Sequence, residues 1–292
     1  MQSNGSIHNH LQLSIPQNQS RLVFERVNRS LGRLSKNMTP QNVHHFRTNG
    51  RRVEALIDQL SPETRNKKKV LKLVAKLTKR AGKLRDIDVQ IAFLNNLRVP
   101  DRQNHRAQLL EFLGEEHARR ARKLAKAADS ATLQELRKRL RREQNGIKLD
   151  VDPLRLALSS LPKPSQVPLT EKTLHAFRIG VKQARYLAEL AGEAPKAKLF
   201  VDELKRAQDA AGEWHDAVKL KEKAEKRFGS ASQSALVSVL QNISRARFRS
   251  ASNALVTALT TLSQERQPVK PSARVQYNSA ASNATVRSTA VA

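Results

Sequence analysis

Two stretches of the chain place imidazole and cationic side chains at helical spacing. In VHHFRTNGRRVEAL, His44, Arg47 and Arg51 stand at i, i+3 and i+7, with Arg52 adjacent. On a helix these three share one face over two turns. In LHAFRIGVKQARYLAEL, His175, Arg178, Lys182 and Arg185 repeat the arrangement, with Tyr186 beside them. Cationic heads stacked at turn spacing match a chain of phosphates better than a single small ligand. Arginine grips a phosphate bidentately, and lysine acts as a mobile point charge. One copy alone reads as a solvated charged face. A second copy weighs against that, because solvated faces need not copy themselves residue for residue.

A basic stripe adds to the pattern. Arg65, Lys69, Lys72, Lys76, Lys79 and Lys83 recur every three or four residues, while Val70, Leu73, Val74, Leu77, Ala81 and Leu84 take another side. This is an amphipathic helix with cations along one line. Surface helices usually interleave Glu with Lys to gain i,i+4 pairing. Here no acid lies between Glu63 and Asp86. A third motif, Gly-x-x-[Arg/His]-Asp, occurs as AGKLRDIDV and AGEWHDAVK, carrying Arg85 and His215. Gly82 and Gly212 suit a helix C-terminus or a tight helix–helix contact. Asp86 and Asp216 read as N-caps of following helices, or as orienting partners for a nearby Arg or His, before any catalytic role.

The motifs are related to one another. His44, Arg47 and Arg51 map onto His175, Arg178 and Lys182 at an offset of 131. Gly82, Arg85 and Asp86 map onto Gly212, His215 and Asp216 at 130, as do Val74, Lys76 and Leu77 onto Leu204, Arg206 and Ala207. Two matched motifs in the same order and at the same separation indicate an internal duplication.

The elements that must position these residues are helical. Thr39 caps a helix from Pro40 to about Leu60. Ser61-Pro62-Glu63 reads as the start of a second, reaching about Gly82. Further helices are expected over 86–97, 102–128 and 130–144. The second half repeats the order, with helices from Thr170 to about Ala191, from Pro195 to about Ala211, and over 214–228 and 231–264. Residues 1–20 and 267–292 are polar and read as a disordered lead and tail. LPKPSQVPLT carries three prolines in ten residues. It separates a first half, 21–160, from a second, 170–266, with the linker at 161–169.

Composition sets the class. The 292 residues hold 54 Lys and Arg against 26 Asp and Glu, a formal net charge of +28. The excess is concentrated in residues 21–150, at +18, against +7 in residues 151–266. Such a chain repels itself when compact, and a bound polyanion relieves that repulsion. Aromatics make up only 4%, and abundant Ala and Leu favour helix packing over a sheet sandwich. The absence of cysteine excludes disulfides, thiolate nucleophiles and Cys-based zinc sites. The N-terminus lacks the pattern of a secretory signal, and no apolar run is long enough to span a bilayer, so a cytoplasmic protein is expected.

The segments VHHFRTNGRR, KLRDIDV, LHAFRIGVKQARY and GEWHDAV resemble the CHAD family, named for conserved histidines in an α-helical domain, over about residues 38–265. The resemblance implies an all-α fold of two pseudo-symmetric four-helix bundles, formed by internal duplication and joined as one CHAD domain. It implies a basic groove or pore at their junction that binds inorganic polyphosphate, with association with polyphosphate granules. His44, Arg47, Arg51, Arg52, His175, Arg178, Lys182, Arg185 and Tyr186 fall on motif positions. Gln183 and Glu54 stand where the family usually has basic residues. No signature of a triphosphate-hydrolysing tunnel domain is visible, so a stand-alone version is expected.

The polyphosphate-contacting set is therefore expected to comprise those nine motif residues together with Arg65, Lys69, Lys72, Lys76, Lys79, Lys83, Arg85, Arg206 and His215. No catalytic residue, metal or cofactor is expected. Two other readings compete. Non-specific nucleic-acid binding would use the same charge, but no helix-turn-helix, zinc or RNP-like pattern is present, and aromatics for base stacking are scarce near the stripes. An HD-type metal-dependent phosphohydrolase would use His215-Asp216. Yet no Asp follows Asp216, and Arg85 replaces the histidine in the other copy. Membrane binding is disfavoured because the basic stripes lie opposite core-facing apolar residues instead of beside exposed Trp or Phe.

Overall fold

The computed structural model describes residues 15–161 and 169–264. The expected tail, residues 1–14 of the expected lead and most of the proline-rich linker lie outside these described residues. Within the expected lead, Ile15 is buried and residues 17–20 are helical, because α1 runs from Gln17 to Lys36. Val23, Phe24, Val27, Leu31 and Leu34 recur at three- and four-residue intervals, so α1 turns one apolar stripe inward.

Helix α2, Pro40–Leu60, starts where its sequence places it: the Thr39 hydroxyl accepts the Asn42 N–H at 3.2 Å, and Pro40 occupies the first turn. The next start differs from expectation. Ser61 closes α2, and Thr64 caps α3 by accepting the Lys67 N–H at 3.0 Å. Helix α3 then runs unbroken from Arg65 to Asn96. The expected break between Gly82 and Asp86 is absent. A mid-helix glycine costs only about 1 kcal/mol relative to alanine, and Ala81, Leu84 and Ile87 carry the buried stripe through it. The same holds in α8, Pro195–Phe228, where buried Ala211, Trp214 and Ala217 carry one helix past Gly212. Asp86 and Asp216 are therefore interior helix residues, and the N-cap reading of both is corrected.

Between these lie α4, His105–Ala127; α5, Ser130–Gln144; α6, Pro153–Ser160; and α7, Glu171–Ala188, which continues into a 3-10 turn over Glu189–Ala191. Thr170 and Thr173 form a reciprocal capping box at the start of α7. Helix α9, Ala235–Gln264, ends the described chain. Among the described residues there is no strand.

The order of packing repeats. Helix α1 packs on α2, α2 on α3 and α3 on α4; in parallel, α6 packs on α7, α7 on α8 and α8 on α9. Helix α5 is an addition to the first set, lying against α1 and α3, and α6 is grouped by its packing with the helices that follow the proline-rich stretch. Across the junction like meets like: α2 touches α7, and α3 touches α8. Two apolar cores hold this arrangement. The larger joins Phe24, Phe46 and Leu77 of the first set with Phe177, Phe200 and Trp214 of the second. The smaller joins Leu94 and Leu113 to Leu220 and Leu240 at the far ends of α3, α4, α8 and α9. Full burial of each such side chain contributes about 1.5–3 kcal/mol, so the two halves are tied by the same effect that holds each together.

Candidate polyanion-binding site

Where α2, α3 and α7 meet, a cleft of about 680 Å³ opens at the junction. Arg47 and Arg51 reach it from α2, Lys72 from α3, and Arg178, Lys182 and Tyr186 from α7. The first and second motif copies thus line one cavity, because equivalent helices face each other. Glu54, Asp58 and Gln183 complete the polar lining. Glu54 is engaged by Arg51 at 2.8 Å. The two positions that depart from the basic pattern therefore sit on the cleft itself.

Three of the cations are held without direct compensation. Among the described residues no ion pair uses Arg47, Arg178 or Lys182, and the buried Nε of Arg178 has no hydrogen-bond partner. Arg178 is pushed below its ordinary pKa by burial and by Arg47, against the pull of Asp216 and Asp86. Lys182 is lowered to about 7, first by burial and then by Arg178 and Arg47. Asp216 is raised to about 6 by burial and by Asp86, against the pull of Arg178, Lys182 and Arg47. The two aspartates thus supply a partial counter-charge for Arg178 and Lys182 at longer range than an ion pair.

Gly82 has a specific part in this. A Cβ built there would lie 3.3 Å from Arg47 Nε, so the missing side chain leaves the path that Arg47 takes over α3. Its counterpart Gly212 faces open space.

The histidines gather at the same junction without lining the cleft. The rings of His175 and His215 lie 5.4 Å apart. His215 is lowered to about 3 by burial, with Arg178, His175, Lys219 and Lys182 adding to the effect. His175 is lowered by desolvation and by Arg178, Lys219 and Lys182. His44 is lowered by desolvation and by Arg85, Arg47, His45 and Arg52. All three are neutral near pH 7 and can donate or accept a hydrogen bond there. Among the described residues no three His, Asp or Glu side chains converge as a metal-binding group.

Other expected contacts are engaged elsewhere. Arg52 donates from Nε and a terminal nitrogen to both carboxylate oxygens of Glu189, at 2.6 and 3.2 Å. Burial opposes its charge, but Glu189 more than offsets this and raises its pKa. Arg185 donates to Glu189 as well, and to Gln208 Oε1 at 3.0 Å. The Tyr186 ring lies under both guanidinium groups, at 4.8 Å from Arg185 and 5.8 Å from Arg52. These residues form a clamp between α2 and the end of α7. Arg206 pairs with Glu203. Arg85 stands 4.0 Å from Asp88, whose other oxygen takes His117 at 3.0 Å. Arg65 and Lys69 are exposed and do not line the cleft. Lys76, Lys79 and Lys83 line a different cleft, between α3 and α4, with Arg80, Arg120 and Lys123. Sequence reasoning missed Lys219, the Glu189 clamp and the α4 cations, although HARRARKLAK was visible as a basic run.

Among the described residues every regular element is a helix, and α2 and α3 meet α7 and α8 across a cleft lined by cations. The chain belongs to the CHAD family: the family model for the CHAD domain matches residues 22–225. Among solved structures, the fold is similar to the CHAD domain from the plant Ricinus communis, with a TM-score of 0.59 at 15% identity, covering 84% of this chain and 90% of that one. It is equally similar to PptA from Streptomyces chartreusis, with a TM-score of 0.59 at 15% identity, covering 85% and 97%. No curated protein matches the sequence. Among the described residues no helix is long and apolar enough to cross a membrane.

Proposed function

We propose that the protein binds inorganic polyphosphate in the junction cleft and performs no chemistry on it, and that it associates through this ligand with polyphosphate granules. The observation that carries the reading is the convergence of Arg47, Arg178 and Lys182 from both halves with no carboxylate in ion-pair contact. Unpaired cations in a partly buried cleft are costly. A phosphate chain supplies the missing charge at several points at once. Family membership supports the same ligand, since CHAD domains are generally linked to polyphosphate. Burial chiefly keeps His215 unprotonated, and Arg178, Lys219 and Lys182, which add to that effect, also oppose a divalent metal beside it, which weighs against the HD-type reading. Stacking platforms for nucleobases are scarce, because Tyr186 is already covered by two guanidinium groups.

The test is calorimetric titration with tripolyphosphate, comparing the wild-type protein with Arg178→Gln/Lys182→Gln. At least a tenfold loss of affinity in the double variant is expected. Binding undiminished in both stoichiometry and affinity overturns the assignment of the cleft. Granule association is tested by imaging a fluorescent fusion of the full chain in cells with and without polyphosphate; an unchanged distribution removes it.

A further inference from the structure

The basic stripe of α3 does not stay in the junction. Lys72 lines the junction cleft, whereas Lys76, one turn on, lines a second cleft of about 360 Å³ between α3 and α4. That cleft is walled by Lys76, Lys79, Arg80, Lys83, Arg120 and Lys123, and among the described residues by no acidic side chain. Three details separate it from an ordinary solvated face. Arg80 donates to the Lys123 carbonyl at 3.1 Å, which fixes one cation on the wall. The buried Nε of Arg120 has no partner, although its terminal nitrogen is held by Glu116 at 3.0 Å. Glu116 in turn takes Lys223 at 2.6 Å and is held below its usual carboxylate range, against its burial, by hydrogen bonds and charge from Lys223 and Arg120, so its charge is already spent. Asp129 is engaged as the cap of α5, where its carboxylate accepts the Thr132 N–H at 2.7 Å. Lys79, Lys83 and Lys123 have no acidic partner among the described residues.

We infer that the α3–α4 cleft is a second phosphate-binding site, and that one condensed phosphate chain can run from the junction cleft into it along α3. From Lys72 to Lys83 the stripe extends roughly 16 Å along the helix. A short oligophosphate occupies one cleft at a time. A longer chain engages both, and the second engagement is intramolecular. The protein therefore favours long chains over short ones. This inference rests on polyphosphate being the ligand of the junction.

The experiment uses the full chain and two ligands, tripolyphosphate and long-chain polyphosphate. The variant Lys79→Gln/Lys83→Gln/Lys123→Gln changes only exposed side chains. Its affinity for the long chain is expected to fall at least tenfold. Its salt slope should flatten by roughly 0.7–0.9 per lost contact. Tripolyphosphate, which fills two sites on the wild-type protein, should fill one on this variant, with the remaining site unchanged in affinity. Long-chain binding within twofold of wild type, at an unchanged slope, overturns the second site. Arg178→Gln/Lys182→Gln separates the two claims. If that variant loses tripolyphosphate from the junction while the triple variant matches wild type, the second site alone is wrong. If it keeps both ligands at full affinity, the junction reading fails first.

Discussion

Lys182 makes the junction sensitive to pH in a direction that can be worked out. In the free protein its pKa is about 7, held down by burial and by Arg178 and Arg47, with Asp216 and Asp86 pulling the other way. A phosphate chain beside it favours the charged form, so binding raises that pKa and takes up a proton. Affinity then falls as the pH rises from the free value towards the bound one. With a bound value of roughly 9, still short of an unperturbed lysine, single-site linkage gives a fall of roughly 25-fold from about pH 7 to about pH 9, close to 2 kcal/mol. Asp216 titrates at about 6 and shifts in the same sense, but most of its change is complete by pH 7. With a bound value of roughly 7 it adds about twofold in this window. The internal phosphates of a long chain remain singly ionised throughout, so the ligand contributes little. The assay is calorimetric titration of long-chain polyphosphate across this range at constant ionic strength. The control is Lys182→Arg, whose guanidinium stays charged throughout. It is expected to bind with a nearly flat profile, within about twofold after the Asp216 share. A wild-type profile that is already flat, or a Lys182→Arg profile as steep as wild type, refutes the argument.

The remaining predictions concern the groups around this cleft. Gly82→Ala should leave the melting temperature equal or higher, since helix propensity gains about 0.5–1 kcal/mol, yet it should weaken binding by displacing Arg47; Gly212→Ala should gain similar stability with unchanged affinity. Equal affinity in the two variants would remove the role given to Gly82. Glu189→Ala leaves Arg52 and Arg185 without their shared carboxylate and should cost about 1–3 kcal/mol in chemical denaturation; a loss no larger than that of an exposed control such as Glu111→Ala would mean the clamp is incidental. Lys182→Met should raise the stability of the ligand-free protein at neutral pH by about 0.5–2 kcal/mol. The sign follows from linkage: the folded pKa lies below the unfolded value, so charging Lys182 opposes folding below about pH 7, and this cost is relieved as the pH rises through the interval between the two values.

Much of this architecture is legible in the amino-acid order. The caps at Thr39 and Thr170, the proline at the head of α8 and the buried stripe of α3 all follow from residue type and period. The two halves of the cleft, Arg47 and Arg51 opposite Arg178 and Lys182, are visible as one motif at a fixed offset. Two things are not legible. Gly82 and Gly212 read as helix ends because propensity is local, whereas packing on both sides of each glycine carries the helix through. The division of labour among the arginines is not visible either. Arg47 and Arg52 are chemically alike and five residues apart, but only the fold brings Glu189 to Arg52 and leaves Arg47 without an ion-pair partner. The stripe of α3 likewise looks continuous as sequence, while the packing of α4 alongside it divides its cations between two clefts.

Competition at equal phosphate concentration tests the central claim most directly. Long-chain polyphosphate bound to the wild-type protein is challenged with duplex DNA of matched total phosphate at physiological salt. The account predicts that the flexible phosphate chain, which can enter the junction between α2 and α7, stays bound. Displacement by the duplex, whose backbone is too stiff and wide to enter that cleft, would mean that net charge alone governs binding and that the convergence of Arg47, Arg178 and Lys182 has no part in choosing the ligand.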